Sequence, residues 1–582
     1  MTHPTAPGIP QHDEIAGAIP PSSTEHIDDA LAVLIAKKDE WATLPIPDRR
    51  AILRQLIRDF SGVAEVWADA CCEAEGLAAG TASAGEEWVT GPYLIIRNLR
   101  LLEEALADVA TRGAPRIPGP IRYRPDGQLT VGVFPHSAYD RIFYSGVSAE
   151  VWMEPGLRRE ELPATQAVAY KSDDPPTGVA LVLGAGNVSS IGPMDALYKL
   201  FVENRVVIYK THPLNAYLGP ILADGFRALV ANGVLRIVYG GAAEGEYLSN
   251  HPDVDEIHIT GSDKTVEAIV FGSGEEGERR KAERRPQLDK AISSELGNVS
   301  PVIVVPGPWS QGDIAYHGES LAAMLTNNAG FNCNAARVVI QHGAWSERQT
   351  LLEALRRSLA KVPPRKAFYP GAAQRHGAFV KAHPEAEHYG QGGEGTLPWT
   401  LIPDVAPTDG DEICFRTEAF CSVVAETALG GISVPEYLAR AVDFANQRLW
   451  GTLNATVVVH PASLRDPAIA AAFDRALAEL RYGTVAVNSW AAIGYGLVTT
   501  SWGAYPGHDL YDIQSGTGVV HNTLMFSRIE KSVVRSPFRI RPKPLWFPTH
   551  KTTLALARKL TRFEARPSPW KLPGIFWEAL RG

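Results

Sequence analysis

Cys333 lies in the segment NNAGFNCNAARVVI, where a helical pattern gives way to a strand. A thiol at such a junction, flanked by Asn332 and Asn334, can face a cleft while backbone N–H groups point at a developing oxyanion. Taken alone, it fits a buried structural cysteine equally well. Glu295, in AISSELGNVSPVIVV, sits at a strand edge from which a carboxylate can reach a central cleft or stay solvated or salt-bridged. Asn187, in LGAGNVSSIGP, follows an apolar strand; its amide suits either an oxyanion donor or a turn with a helix cap. GAGNVSS is not GxGxxG, so any nucleotide grip here differs from the standard dinucleotide fingerprint.

These residues need a scaffold, and the chain is long enough to supply one. It has 582 residues, 45% hydrophobic and 21% charged, the balance of a multi-domain globular protein. With 52 Gly and 43 Pro, many tight turns are expected rather than long helical rods. A net charge of -9 gives no overall field for nucleic acid, and no nucleic-acid partner is expected. Five cysteines, Cys71, Cys72, Cys333, Cys414 and Cys421, are too unevenly spaced for a disulfide framework or a zinc ribbon, and no metal site is expected. No 18-residue apolar run occurs, and the first residues lack the basic and apolar regions of a secretory leader, so a cytoplasmic protein is expected.

Helical periodicity is predicted in DDALAVLIAKKDEWATL and in DRRAILRQLIRDFSGVAEVWADACCEAEGLA, each with one buried face. From Leu129 the pattern becomes sheet-like, with LTVGVF, IFYSG and SAEVWME forming a hairpin or meander. TGVALVLGAG, RVVIYK, LRIVYG and DEIHITGS then alternate with helical patterns, as do PVIVVPG, ARVVIQHG, FCSVVAETAL, TLNATVVVHP and TVAVNS after Ser300. Such alternation predicts two α/β units with parallel sheets and crossover helices.

The order and identity of these motifs resemble the aldehyde dehydrogenase superfamily over roughly residues 30 to 520. LGAGN resembles its oxyanion asparagine segment, RVVIYKTHP its adenosine-side lysine segment, ITGS its nucleotide loop, and ELGN its general-base segment. NAGFNCNAAR resembles its nucleophile segment and TEAFCSVV its glutamate–x–phenylalanine strand, while TVAVNS and WGAYPG match its closing segments. The resemblance implies an α/β aldehyde dehydrogenase-like fold: a Rossmann-like coenzyme domain, an α/β catalytic domain and a small β oligomerisation element. It implies Cys333 as nucleophile, Glu295 as base and Asn187 as oxyanion donor. For the coenzyme it implies Lys210, Gly261, Ser262, Glu418 and Phe420. The implied reaction is NAD- or NADP-dependent oxidation of a small-molecule aldehyde to an acid through a thiohemiacetal and a thioester. A coenzyme A-acylating enzyme and a membrane-associated scaffold with a vestigial site are the alternatives.

Departures from the family pattern are specific. Phe331 stands where the family commonly has glutamine, and Pro213 stands where an acid often excludes a 2′-phosphate, which leaves NAD and NADP both open. His212 reads as a capping histidine or a phosphate contact.

The expected organisation is a flexible tail at 1–25, a dinucleotide-binding domain at 26–132 and 159–294, and a catalytic domain at 295–487. Oligomerisation and closing segments are expected at 133–158 and 488–530, and a basic aromatic extension at 531–582. The hairpin near 133–158 is expected to extend a sheet across subunits of a homodimer or homotetramer. The extension holds twelve Lys or Arg against Glu564 and Glu578, with Trp546, Trp570 and Trp577 interleaved. This composition suits an arm packed on the protein itself or peripheral contact with a membrane.

Overall fold

The computed structural model describes residues 19–582; most of the expected flexible tail, residues 1–18, lies outside the described residues. Helices Thr24–Thr43 and Ile46–Glu75 follow the predicted periodicity. Ser23 caps the first by accepting from the His26 N–H, and Gly76, with φ of 69°, ends the second. Ile27, Leu31 and Leu34, then Leu53, Leu56, Phe60 and Trp67, fall on the inner faces and are fully or almost fully buried. Cys71 and Cys72 are buried on the second helix and serve packing. Helix Leu94–Arg112, which the sequence reading passed over, adds a further apolar face.

Two sheets organise the rest. A five-stranded parallel sheet has the order Leu235–Val238, Val206–Lys210, Val179–Leu183, Glu256–Gly261, Ala291–Leu296. The first strand in sequence, Val179–Leu183, is central, so the connections leave it in both directions and open a crevice at its carboxyl end. An eleven-stranded sheet contains the parallel strands Thr484–Val487, Asn454–Val458, Pro301–Val304, Val338–His342, Val423–Leu429 and Trp399–Ile402. This is the α/β, Rossmann-like plus catalytic architecture expected from the motif order.

The hairpin pairs within its own chain. Strands Leu129–Phe134 and Ser148–Met153 pair with each other, and Ser148–Met153 pairs antiparallel with Ile529–Arg535. Strand Ile529–Arg535 in turn lies parallel to Thr484–Val487. The hairpin therefore extends this chain's own sheet. Boundaries drawn at 132/133 and 530/531 consequently fall inside strands.

The basic extension is folded onto the body. Helix Thr553–Ala565 crosses helix Ala84–Trp88 so closely that a Cβ on Gly85 would sit 2.5 Å from the Leu554 nitrogen. Glu564 accepts from Arg97 (2.8 Å) and Arg100 (2.8 Å), and Arg97 also donates to Asp140 (3.0 Å), all within a buried region. Phe563 lies edge-on between Tyr139 (5.0 Å) and Phe143 (4.9 Å). Trp570, Trp577 and Leu580, by contrast, are 91%, 61% and 73% exposed. Among the described residues no helix is long and apolar enough to cross a membrane.

Candidate active site

Three chain segments carry the catalytic candidates. Helix Gln311–Thr326 ends in a loop where Asn328, Ala329 and Gly330 all have positive φ, at 51°, 51° and 84°. Two non-glycine residues in that region cost about 1–3 kcal/mol each unless their surroundings hold them. Here Asn328 donates to the Asn187 carbonyl (2.7 Å), and Arg337 donates to the carbonyls of Gly330 (2.7 Å) and Cys421 (2.6 Å). The loop delivers Cys333 half-buried, its carbonyl accepting from Ser300 and Asn454.

Asn187 follows strand Val179–Leu183 and donates its amide to the Phe331 carbonyl at 2.9 Å. An amide carries two N–H donors, so one is left for a ligand. Glu295, in strand Ala291–Leu296, is 1% exposed and accepts from the Trp502 indole at 2.9 Å. Burial first, and the Asp195 charge second, push its carboxyl up to about 8. Burial, then Glu295 and Glu418, raise the Cys333 thiol well above its ordinary value. Carboxyl and thiol are thus close enough to act on each other.

The coenzyme candidates sit at the ends of strands Val206–Lys210 and Glu256–Gly261 and in the segment before strand Val423–Leu429. Lys210 ends strand Val206–Lys210, buried against Gly245, and among the described residues its ammonium donates only to the Thr211 carbonyl at 3.3 Å; burial lowers its pKa to about 8. Gly261 ends strand Glu256–Gly261, and Ser262 caps helix Asp263–Phe271 by accepting from the Thr265 N–H (3.2 Å). Glu418 lies against Gly297, where a Cβ would come within 2.0 Å of its carboxylate. Its Oε1 has no hydrogen-bond partner among the described residues, and burial pushes its carboxyl up to about 8 against the pull of Arg337 and Arg375. Phe420, at φ of 41°, meets Tyr369 edge-on at 4.9 Å, and Tyr369 stacks on His212 at 6.1 Å. His212 caps its turn by accepting from the Leu214 N–H (3.1 Å).

Sequence reasoning missed the surroundings of Glu295. Asp195 is fully buried, accepts from Thr260 (2.9 Å), and has His258 and His521 at 3.6 and 3.8 Å. An acid in the apolar run IGPMDALYKLF was the available signal. Trp502, Tyr369 and Arg375 carried none, since their positions depend on distant loops.

The Aldehyde dehydrogenase family matches residues 147–383, a span that holds Asn187, Lys210, Glu295 and Cys333. The chain carries an aldehyde dehydrogenase domain. Sequence beyond this domain includes the C-terminal helices. N-succinylglutamate 5-semialdehyde dehydrogenase of Novosphingobium aromaticivorans is 28% identical over 180 residues, 31% of this chain and 34% of that protein. Human 4-trimethylaminobutyraldehyde dehydrogenase is 31% identical over 170 residues, 28% of this chain and 31% of that protein. The aligned region thus spans about a third of these curated relatives. NADP-dependent glyceraldehyde-3-phosphate dehydrogenase from Bacillus halodurans, solved with NADP, aligns with a TM-score of 0.57 at 18% identity over 89% of this chain and 92% of that one. The matched domain therefore sits in a chain that shares the fold of that solved structure over most of its length.

Proposed function

We propose that the protein oxidises an aldehyde to a carboxylic acid with NAD or NADP, through Cys333. The observation that supports this most is the Asn187 amide held on the Cys333 loop, 2.9 Å from the Phe331 carbonyl, with the buried Glu295 carboxyl on strand Ala291–Leu296 of the same sheet. The Cys333 thiol passes its proton through the Glu295 carboxylate to solvent, and the thiolate adds to the aldehyde carbon and forms a thiohemiacetal; the free Asn187 N–H and the Cys333 backbone N–H hold its oxyanion. The chemistry that a bound NAD(P) supplies is acceptance of the hydride lost by that carbon. Glu295 then takes a proton from water, which attacks the resulting thioester and releases the acid and the thiol.

Lys210 would hold the adenosine ribose, Glu418 the nicotinamide ribose through its unpartnered Oε1, and Phe420 would lie beside the nicotinamide, with Gly261 and Ser262 lining the phosphate side. Tyr369, which bridges His212 and Phe420, would have to turn aside. In this reading the five-stranded unit binds the coenzyme, and the parallel strands of the larger sheet carry the nucleophile. A homodimer or homotetramer would cover the open edge strand Ile121–Tyr123, whose Tyr123 is 52% exposed. Absorbance at 340 nm with NAD and NADP, aldehydes, and coenzyme A present or absent tests the reading. NADH or NADPH formation without coenzyme A is expected, and an absolute requirement for coenzyme A would reject hydrolysis by Glu295.

Because Glu295 must be deprotonated to act as base, the hydrolytic step should rise with pH and level off above about 8. Asp195 disfavours the Glu295 anion, so Asp195→Asn should move this rising limb to lower pH. Single-turnover deacylation across pH measures it, and an unmoved limb would show that Asp195 does not act on the base.

The exposed Trp570, Trp577 and Leu580 stand beside Arg566, Lys571 and Arg581, a combination suited to peripheral contact with an anionic lipid surface. Trp577 and Leu580 are three residues apart on helix Leu572–Arg581 and share a face. Co-sedimentation with anionic vesicles should be strong for the full chain and fall about tenfold or more in a Trp570→Ser, Trp577→Ser variant, given about 1 kcal/mol or more per buried aromatic. Negligible sedimentation of both would discard the membrane role.

A further inference from the structure

A cavity of about 990 Å³ has Cys333, Asn332 and Trp490 in its wall. The same cavity is bounded by Tyr93 and Leu94, by Ile142 and Phe143 of helix Ala138–Phe143, and by Leu560 and Phe576 of the two C-terminal helices. Its volume is at the upper end of small-molecule sites and exceeds what a short aldehyde fills.

Several inner polar groups of this wall are engaged with one another, whereas Arg357, Lys361, Lys366, Glu394 and Arg541 line it from exposed positions, at its solvent side. The Tyr93 hydroxyl pairs with that of Tyr144 at 2.8 Å, and the Trp490 indole donates to the Asn334 carbonyl at 2.6 Å. Of the charged residues in the wall, the half-buried Arg365 is matched by Glu86 (2.8 Å) and Glu75 (3.1 Å). Away from that charged solvent side, the inner wall around Leu94, Val147, Ile191 and Ile493 offers apolar contact area and little demand for a charged or hydroxylated ligand. Apolar surface of this extent is matched by an apolar occupant.

We propose that this cavity is a tunnel for the alkyl chain of a long-chain aliphatic aldehyde, with the carbonyl at Cys333 and the far wall supplied by helices Thr553–Ala565 and Leu572–Arg581. The assignment rests on Cys333 being the nucleophile and adds the substrate class. The C-terminal segment then belongs to the substrate site. Its attachment through Glu564 to Arg97 and Arg100 fixes the wall that determines how much chain is buried.

Two measurements test this separately from the oxidation chemistry. In the first, kcat/KM is followed for propanal, hexanal, decanal and dodecanal. A rise of about three- to fourfold per added methylene is expected until the tunnel is filled, from about 0.8 kcal/mol per buried CH₂. Ala579→Trp, on the C-terminal wall, should keep activity on propanal and lose tenfold or more on dodecanal. Ile142→Trp narrows the opposite wall from a position that is 41% exposed, and provides the same test if the first variant does not fold. In the second measurement, dodecanoate should slow alkylation of Cys333 by iodoacetamide in the wild-type protein, whereas acetate should not. A flat chain-length series, or equal loss on propanal and dodecanal in both variants, would overturn the tunnel. Protection by dodecanoate without any coenzyme reduction would keep the tunnel and reject the dehydrogenase reading. Absence of protection alongside active oxidation of propanal would do the reverse.

Discussion

The Cys333→Ala protein is expected to bind NAD or NADP and to unfold at an unchanged temperature, while its aldehyde oxidation falls by about three orders of magnitude or more, roughly 4 kcal/mol of transition-state stabilisation. The thiol is half-buried and forms no side-chain hydrogen bond that the local fold depends on; the loop is held instead by Asn328 and Arg337 through backbone carbonyls. Removing one sulfur therefore deletes the bond-forming atom and little else. Glu295→Gln isolates the later step. With the nucleophile intact and the base gone, acylation should proceed and hydrolysis should slow, so that mass spectrometry of the mixed protein finds an acyl adduct on Cys333. Substantial turnover by Cys333→Ala would remove the covalent route altogether.

Glu564→Ala should be the most destabilising single change in the C-terminal segment, by about 3–5 kcal/mol. Its carboxylate is buried and bridges two guanidinium groups, Arg97 and Arg100, contributed by helix Leu94–Arg112. Arg97 is itself buried, and after truncation it would retain only Asp140 to balance a charge that water cannot reach. Replacing a buried ion cluster with apolar residues can be neutral, but removing one member leaves an uncompensated charge, which is the costly case. Denaturant unfolding followed by tryptophan fluorescence measures the change. A loss below about 1 kcal/mol would mean that the helix is held by the Phe563 contacts and the Gly85 crossing rather than by this cluster.

The sequence was most informative where function and local pattern coincide. Most strands of the five-stranded sheet and most parallel strands of the larger, mixed sheet announced themselves as short apolar runs, though Trp399–Ile402 did not, and Cys333, Glu295, Asn187 and Lys210 stood at or near strand ends within recognisable motifs. Helix Leu94–Arg112 went unread although its amphipathic spacing was present. The partners of Glu295 were less accessible: Trp502 follows Glu295 by 207 residues, and its indole reaches the carboxylate only through the paired short strands Trp502–Gly503 and Val519–Val520. Likewise, the apolar residues of the basic extension had a clear helical face, but nothing local specified that Glu564 would meet Arg97 across 467 residues. Hydrophobic periodicity reports that a face is buried; it does not report which surface covers it.

The position of strand Ile529–Arg535 has a consequence for biosynthesis. Leu129–Phe134 and Ser148–Met153 leave the ribosome hundreds of residues before the strand that joins them to Thr484–Val487. Until residue 535 has been synthesised, both the hairpin and the catalytic strands present an unpaired edge, the surface most prone to pairing with another nascent chain. Closure of the eleven-stranded sheet is thus a late event dominated by long-range contacts, slow by its topology. Truncated or stalled chains ending before residue 529 should therefore be more dependent on chaperones than their intact α/β units would suggest.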